Sequence, residues 1–284
     1  MQTTPLHPDF GVEIHGIDLK TVSADHLYPQ IRDAFDRHSL LLFRGQAWED
    51  DDILAFGRLW GPIENRTDGP EFVSRVSNML PDGSVLLPDA MKLKDLKGNM
   101  LWHTDSTFLP VPSLANIITG RVVPSAGGAT ELVSTRAGFQ RLPETLKAAA
   151  RRAVMLHRLT HSRAKIDPDL AQEAHITKWE GSWWRAIWPN PVTGDEAVYI
   201  ASHACEIDGM ETGAARALID EIVAALTIDD AIYAHQWQVG DVLIWDERAT
   251  LHRGMPWPYE EPRELASICV TAGEGDGLDA VRAA

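Results

Sequence analysis

Apolar residues recur at helical spacing in four stretches of the chain. In residues 25–37, Leu27, Ile31 and Phe35 fall on one face, and Ser23 is placed to cap the N-terminus. In residues 50–60, Ile53, Phe56, Leu59 and Trp60 form the stripe, while Asp50, Asp51 and Asp52 put negative charge at the positive end of the helix. Pro143 opens a third helix running to about residue 155, and residues 210–226 supply a fourth. Between them lie short apolar runs bounded by turns, at 39–43, 115–123, 197–201, 241–245 and 265–271. Helices do not alternate regularly with these strands, which disfavours a doubly wound parallel sheet. The pattern predicts a mainly β chain, an antiparallel sandwich or jelly roll with flanking helices, with turns at Gly127-Gly128 and 190–194.

Composition narrows the partners. The chain has 284 residues, with Lys+Arg 26 against Asp+Glu 41 and a formal charge of -15, a field that repels phosphate backbones and anionic lipid. Neither nucleic acid nor a membrane is an expected partner, and no apolar run approaches the ~20 residues of a membrane helix. No secretory signal is visible at the N-terminus. Only Cys205 and Cys269 occur, which excludes a disulfide framework or a thiolate metal site and reads as a pair of reduced cytoplasmic thiols. Without internal repeats or a clear linker, residues 1–284 are expected to form one domain. The ten tryptophans suggest an association surface and a homo-oligomer.

With so few cysteines, a metal site must be built from histidine and carboxylate. Two His-x-Asp pairs occur, His7-Pro8-Asp9 and His103-Thr104-Asp105; the first lies beside an end expected to fray. His103 and Asp105 leave an apolar strand and need a distant third ligand to make a 2-His-1-carboxylate triad with open coordination positions. His252, after the apolar run 241–245, is the best candidate. Eleven residues later comes Arg263, spaced to lie on the neighbouring strand of a hairpin and suited to hold a dicarboxylate. Spacing alone leaves an ordinary hydrogen-bonded histidine pair with a surface aspartate as an equal reading.

The motifs resemble a family. Pro5-Leu6-His7-Pro8, Leu42-Phe43-Arg44-Gly45-Gln46, Gly61-Pro62-Ile63-Glu64, Trp102 to Ser106, Gly127-Gly128-Ala129-Thr130-Glu131, Trp245-Asp246-Glu247-Arg248, Leu251-His252-Arg253-Gly254 and Arg263-Glu264-Leu265 span nearly the whole chain. Together they are similar to the 2-oxoglutarate-dependent iron dioxygenases of the taurine dioxygenase and 2,4-dichlorophenoxyacetate dioxygenase group, and closer to the latter. The resemblance implies a double-stranded β-helix with active-site insertions or lids around 65–98 and 160–190. It implies Fe(II) held by His103, Asp105 and His252, 2-oxoglutarate held by Arg263 with Thr130, dioxygen as cosubstrate, Asn99 near the iron, and His203 facing the substrate.

One position departs from the group. Four residues after the cosubstrate arginine, where the group carries a second arginine for the substrate's anion, this chain has Ser267. An unpaired buried anion costs several kcal/mol, so another cation is needed or the substrate is neutral. Arg185 is the expected replacement, reaching in from a lid, and stacking on Trp183, Trp184 or Trp188 is the alternative. The implied reaction hydroxylates a C–H bond of a small organic substrate, an aromatic carboxylate or aryloxyalkanoate, releasing succinate and CO2, with ether cleavage where the carbon bears oxygen. The rival readings are a hydroxylase of sulfonates or sulfate esters, and a catalytically silent jelly-roll binding protein.

Overall fold

The computed structural model describes residues 1–67 and 69–283. Its strands are β1 Gln2–Pro5, β2 Val12–His15, β3 Leu40–Phe43, β4 Ser74–Ser77, β5 Ser113–Val122, β6 Thr130–Ser134, β7 Val154–His157, β8 Ser182–Arg185, β9 Ile187–Pro189, β10 Glu196–Val198, β11 Ala204–Ile207, β12 Tyr233–His235, β13 Val242–Asp246, β14 Thr250–Gly254 and β15 Glu264–Thr271. The helices are α1 Tyr28–His38, α2 Asp50–Trp60, α3 Met91–Gly98, α4 Thr135–Arg141, α5 Glu144–Arg152, α6 Leu159–Ala164, α7 Ala174–Thr177, α8 Thr212–Leu226 and α9 Leu278–Val281.

A seven-stranded sheet in the order β1-β2-β3-β13-β5-β15-β4 faces a three-stranded sheet in the order β12-β6-β14, the arrangement of a jelly roll. Smaller sheets β11-β7-β8 and β10-β9 complete it, and among the described residues β2 with β3 is the one parallel pairing of named strands.

Strand alternation explains why so many residues are apolar without a polar face. In β3, Leu41 and Phe43 pack outward with Ile31 and Phe35 of α1 and Ile53, Phe56 and Trp60 of α2, and in β13 Val242 and Ile244 do the same. The alternate residues Leu40, Leu42, Leu243 and Trp245 point inward with Leu132 of the small sheet. The small sheet is covered in turn, since Val133 and Leu251 pack with Phe139, Leu146, Ile219 and Leu226 of α4, α5 and α8. Both faces of the central strands are therefore buried, and only the space between the sheets is left for chemistry. Helix α2 approaches β15 closely because Gly57 has no side chain: a Cβ there would sit 2.2 Å from Ile268 Cδ1.

Several boundaries differ from the sequence reading. The first helix starts at Tyr28, with Leu27 at the cap in a positive-φ conformation and Pro29 in the first turn, while Ser23 is drawn into a bridge with His26. The third ends at Arg152, because 154–157 pairs as β7 with β8 and β11. Helix α4 was not anticipated; Ser134 Oγ caps it by accepting from Ala137 N at 3.1 Å. The N-terminus is not frayed, as β1 pairs with β2 along its full length.

Candidate metal centre

In β14 the side chain of Leu251 points to the helices and that of His252 points between the sheets. His103 follows α3, whose end is docked to β14 by Gly254 N donating to Asn99 O at 2.7 Å. The backbones of His103 and His252 then exchange two N–H to O bonds of 2.9 Å. The residue is thus placed by one isolated bridge rather than by the strand the sequence suggested. This holds the two imidazoles side by side, with ring centroids 4.1 Å apart. Asp105 closes the set, with Oδ1 3.6 Å from His103 Nε2 and Oδ2 3.8 Å from His252 Nε2. One ligand atom from each of the three residues lies within 4.8 Å of the others.

The protonation states suit a cation. Burial, and the nearby His103, push the His252 imidazole down to about 3, and burial also lowers that of His103, so both rings are neutral with lone pairs free. His103 Nδ1 lies 2.7 Å from the Leu101 carbonyl, which places the proton there and leaves Nε2 as the donor toward a metal. Burial would raise the Asp105 carboxyl, but the Arg66 charge and the Asn116 amide oppose this, as would any charge on His252 or His103, and its carboxyl is held below the usual carboxylate range. The chemistry of the donor set fits a divalent ion that keeps open positions.

Behind Asp105 runs a chain of oriented groups. Asn116 Nδ2 donates to Asp105 Oδ2 at 2.7 Å, and Ser267 Oγ donates to Asn116 Oδ1 at 2.8 Å. Asp105 N donates to Glu247 Oε2 at 2.9 Å, and Trp245 Nε1 to Glu247 Oε1 at 2.7 Å. Asn116 carried no signal in the sequence; Glu247 stood in a quoted motif without a role. Asn116→Ala should weaken Mn(II) binding by about 10- to 100-fold, because the carboxylate loses the bond that fixes its orientation. Calorimetric titration checks this, and unchanged affinity would show that the amide does not position the ligand.

The triad opens into a cavity of about 410 Å³. Arg263 lines it from just before β15, 3% exposed, with Nη2 donating to Gly128 O at 2.9 Å and Nε unpartnered. The positive φ of Gly128 and its lack of a side chain permit this, since a Cβ would lie 3.0 Å from Arg263 Nε. Among the described residues no carboxylate pairs with Arg263, and burial lowers its guanidinium to about 10. That is the environment of a cation awaiting an external anion. His252 and Arg263 are not hairpin neighbours: β14 belongs to the small sheet and β15 to the large one. The connection between them, with Pro256, Pro258 and Pro262, carries the chain across, so the two residues border the same cavity from opposite sheets.

Asn99, Thr130, His203 and Ser267 also line the cavity. Thr130 Oγ1 accepts from Trp237 Nε1 at 3.0 Å, leaving its own proton to donate. His203 Nδ1 lies 2.7 Å from Ser162 Oγ. Arg185 is exposed on β8 and lies outside the lining, because alternation turns it away while Trp184 points into the core. Trp184 and Trp188 are buried core residues, hydrogen-bonded through Nε1 to Thr107 O and Asp276 O, and Trp183 is 38% exposed, so none of the three lines the cavity. Trp179 does, at the start of the aromatic stretch 179–188, together with Arg66, Arg163 and Lys178, which no motif in the sequence marks. The His7 to Asp9 pair is spent on Asp230 O and Arg141.

Known proteins resemble this chain over most of its length. The chain is 31% identical over 274 residues to (S)-phenoxypropionate/alpha-ketoglutarate-dioxygenase of Delftia acidovorans, covering 93% of each chain. It is 30% identical over 271 residues to the alpha-ketoglutarate-dependent 2,4-dichlorophenoxyacetate dioxygenase of Cupriavidus pinatubonensis, covering 92% of this chain and 94% of that one. A crystal structure of AAD-2 in complex with Mn(II) and N-oxalylglycine superposes with a TM-score of 0.89 at 27% identity, covering 97% of this chain and 100% of that one. Residues 2–269 match the family described as Taurine catabolism dioxygenase TauD, TfdA family, and the chain belongs to it.

Proposed function

We propose that this protein is an Fe(II)- and 2-oxoglutarate-dependent dioxygenase that hydroxylates a C–H bond of an aryloxyalkanoate or related aromatic carboxylate. The observation that carries the reading is the convergence of His103, Asp105 and His252 with the unpaired guanidinium of Arg263 on one cavity. The phenoxypropionate and dichlorophenoxyacetate enzymes at 30 to 31% identity support the substrate class.

His103, Asp105 and His252 would hold the iron. Bound iron, with 2-oxoglutarate and dioxygen, supplies the oxidation of a substrate C–H bond coupled to release of succinate and CO2. Arg263 offers the cosubstrate's far carboxylate a charge-assisted contact, with the Thr130 hydroxyl as a second donor. Asn99 borders the cavity beside the triad, and His203, kept neutral by burial and by the nearby Arg163, faces the substrate without adding charge. Segments 65–98 and 160–190 act as lids of a single domain spanning 1–284: Arg66, Phe72, Arg163 and Trp179 come from them and shield the reacting carbon from water. Where that carbon bears an ether oxygen, hydroxylation gives a hemiacetal that breaks apart.

Two unpaired thiols fit a cytoplasmic enzyme, and exposed Trp183 and Met210 supply apolar surface for a homo-oligomer. The test of function is oxygen-dependent succinate formation with Fe(II) and 2-oxoglutarate over aryloxyalkanoates, aryl carboxylates, sulfonates, alkyl sulfates and neutral aromatics. Stimulation by an aryloxyalkanoate is expected. Stimulation by sulfonates or sulfate esters alone, or by nothing, would overturn the reading.

A further inference from the structure

Four Lys or Arg side chains line the cavity, and their surroundings are unequal. Arg263 borders the cosubstrate side. Arg66 is exposed and already matched, with Nε donating to Glu64 Oε1 at 2.5 Å and Nη2 to Ser106 Oγ at 2.9 Å. Lys178 is exposed, donates to Arg66 O at 3.1 Å and lies over the Trp179 ring at 4.5 Å. Arg163, on α6, has a side chain only 13% exposed and uses one of its donors, Nε, on Asp95 Oδ1 at 2.7 Å. Among the described residues Nη1 and Nη2 have no hydrogen-bond partner. The surface pair Arg151 with Glu196 shows the difference, because there both Nε and Nη2 are consumed.

The Arg163 slot is built rather than incidental. A Cβ at Gly98 would sit 2.7 Å from Nη1 and 2.8 Å from Cζ, so the guanidinium lies against the end of α3 in space that a side chain at 98 would take from it. Asp95, three residues earlier on the same helix, holds Nε. The preceding residue, Ser162, fixes His203, whose ring lies edge-on to Phe108 at 5.2 Å and 6.4 Å from His103. Arg163, His203 and the triad therefore border one volume, walled by Phe108, Leu159 and Ile176.

We propose that Arg163 holds the substrate's carboxylate, in place of the cation that position 267 lacks. This rests on the function proposed above and extends it: the substrate is a carboxylate whose anionic end lies at α6, with its apolar body against Phe108 and its reacting carbon toward His103. The Ser267 hydroxyl, bonded to Asn116, is unavailable for this task, and a guanidinium with two adjacent free donors suits a planar carboxylate.

The test is calorimetric binding of 2,4-dichlorophenoxyacetate and its uncharged primary amide to protein loaded with Mn(II) and N-oxalylglycine. Arg163→Gln should raise the dissociation constant of the carboxylate about 10- to 100-fold and that of the amide less than about twofold. Arg163→Lys should recover part of the loss. Gly98→Ala, which keeps the cation but displaces it, should weaken the carboxylate similarly, and circular dichroism melts establish that both variants fold. In turnover, Arg163→Gln should raise KM for the carboxylate more than it lowers kcat. Equal weakening of acid and amide, unchanged carboxylate affinity in both variants, or no binding of the carboxylate to the wild type would each overturn the assignment. If the wild type forms succinate with aryloxyalkanoates while Arg163→Gln keeps its affinity, the anchor falls and the function stands. If no aryloxyalkanoate supports succinate, the function falls first.

Discussion

Asp105→Ala is expected to abolish succinate formation, by more than about a thousandfold, while leaving the far-ultraviolet circular dichroism spectrum unchanged. The carboxylate is the one anionic donor of the set, and its loss leaves two neutral imidazoles that bind a divalent ion weakly. Mn(II) affinity should therefore fall together with turnover. The fold should survive because Asp105 belongs to none of the apolar clusters and follows a single backbone bridge. The metal-free protein should melt no lower than wild type. Burial, and then the Asp105 charge, keep the Glu247 carboxyl well above its usual range, so removing Asp105 makes Glu247 easier to ionise as it deletes the bond from Asn116. Retained activity would refute the triad, and a collapsed spectrum would show that the residue is structural.

Arg263→Met should act in opposite directions on two measurements. Cosubstrate use should suffer severely, with KM for 2-oxoglutarate rising about 100-fold or more, since removing a buried charge partner of a carboxylate costs about 3–5 kcal/mol. The cosubstrate-free protein should become more stable. Arg263 is 3% exposed, lies at 4.8 Å over the Trp257 ring, and has no carboxylate partner among the described residues. A methionine of similar length removes that uncompensated charge, and a gain of about 1 kcal/mol would lift Tm by about 2–4 °C for a domain of this size. Arg263→Lys should keep the charge and lose the fork, giving an intermediate KM. A Tm that falls for the methionine variant, with KM unchanged, would assign Arg263 to structure alone.

The parts legible in the sequence were those that repeat or that carry rare chemistry. Residues 50–60 formed the expected helix because acids at one end and an apolar stripe agreed. The inner strands showed as unbroken apolar runs such as Leu40 to Phe43, which alternation alone could not orient, since both faces are buried. His103, Asp105 and His252 were found because metal ligation needs particular residue types, and these converge. Position within a strand was harder. Arg185 lies in a candidate lid by sequence, yet one residue of register separates an exposed face from the core that holds Trp184. Arg163 was invisible because its surroundings are long-range, depending on Gly98 and Asp95 of a different helix. Asn116 was invisible for the same reason, as one polar residue in a strand whose partners sit on other segments.

The bond from Ser267 through Asn116 to Asp105 joins two properties that could otherwise vary independently. In this chain the residue at 267 buttresses Asp105 through Asn116, so exchanging it to change substrate preference would disturb the orientation of that carboxylate at the same time. Selection for a new substrate would then act with less penalty on α3 and α6, whose contacts with the cavity are made by side chains and a glycine slot rather than through the ligand carboxylate. A jelly roll that is braced behind Asp105 and less tied at α3 and α6 would be free to change what it binds while keeping the orientation of its candidate metal ligands.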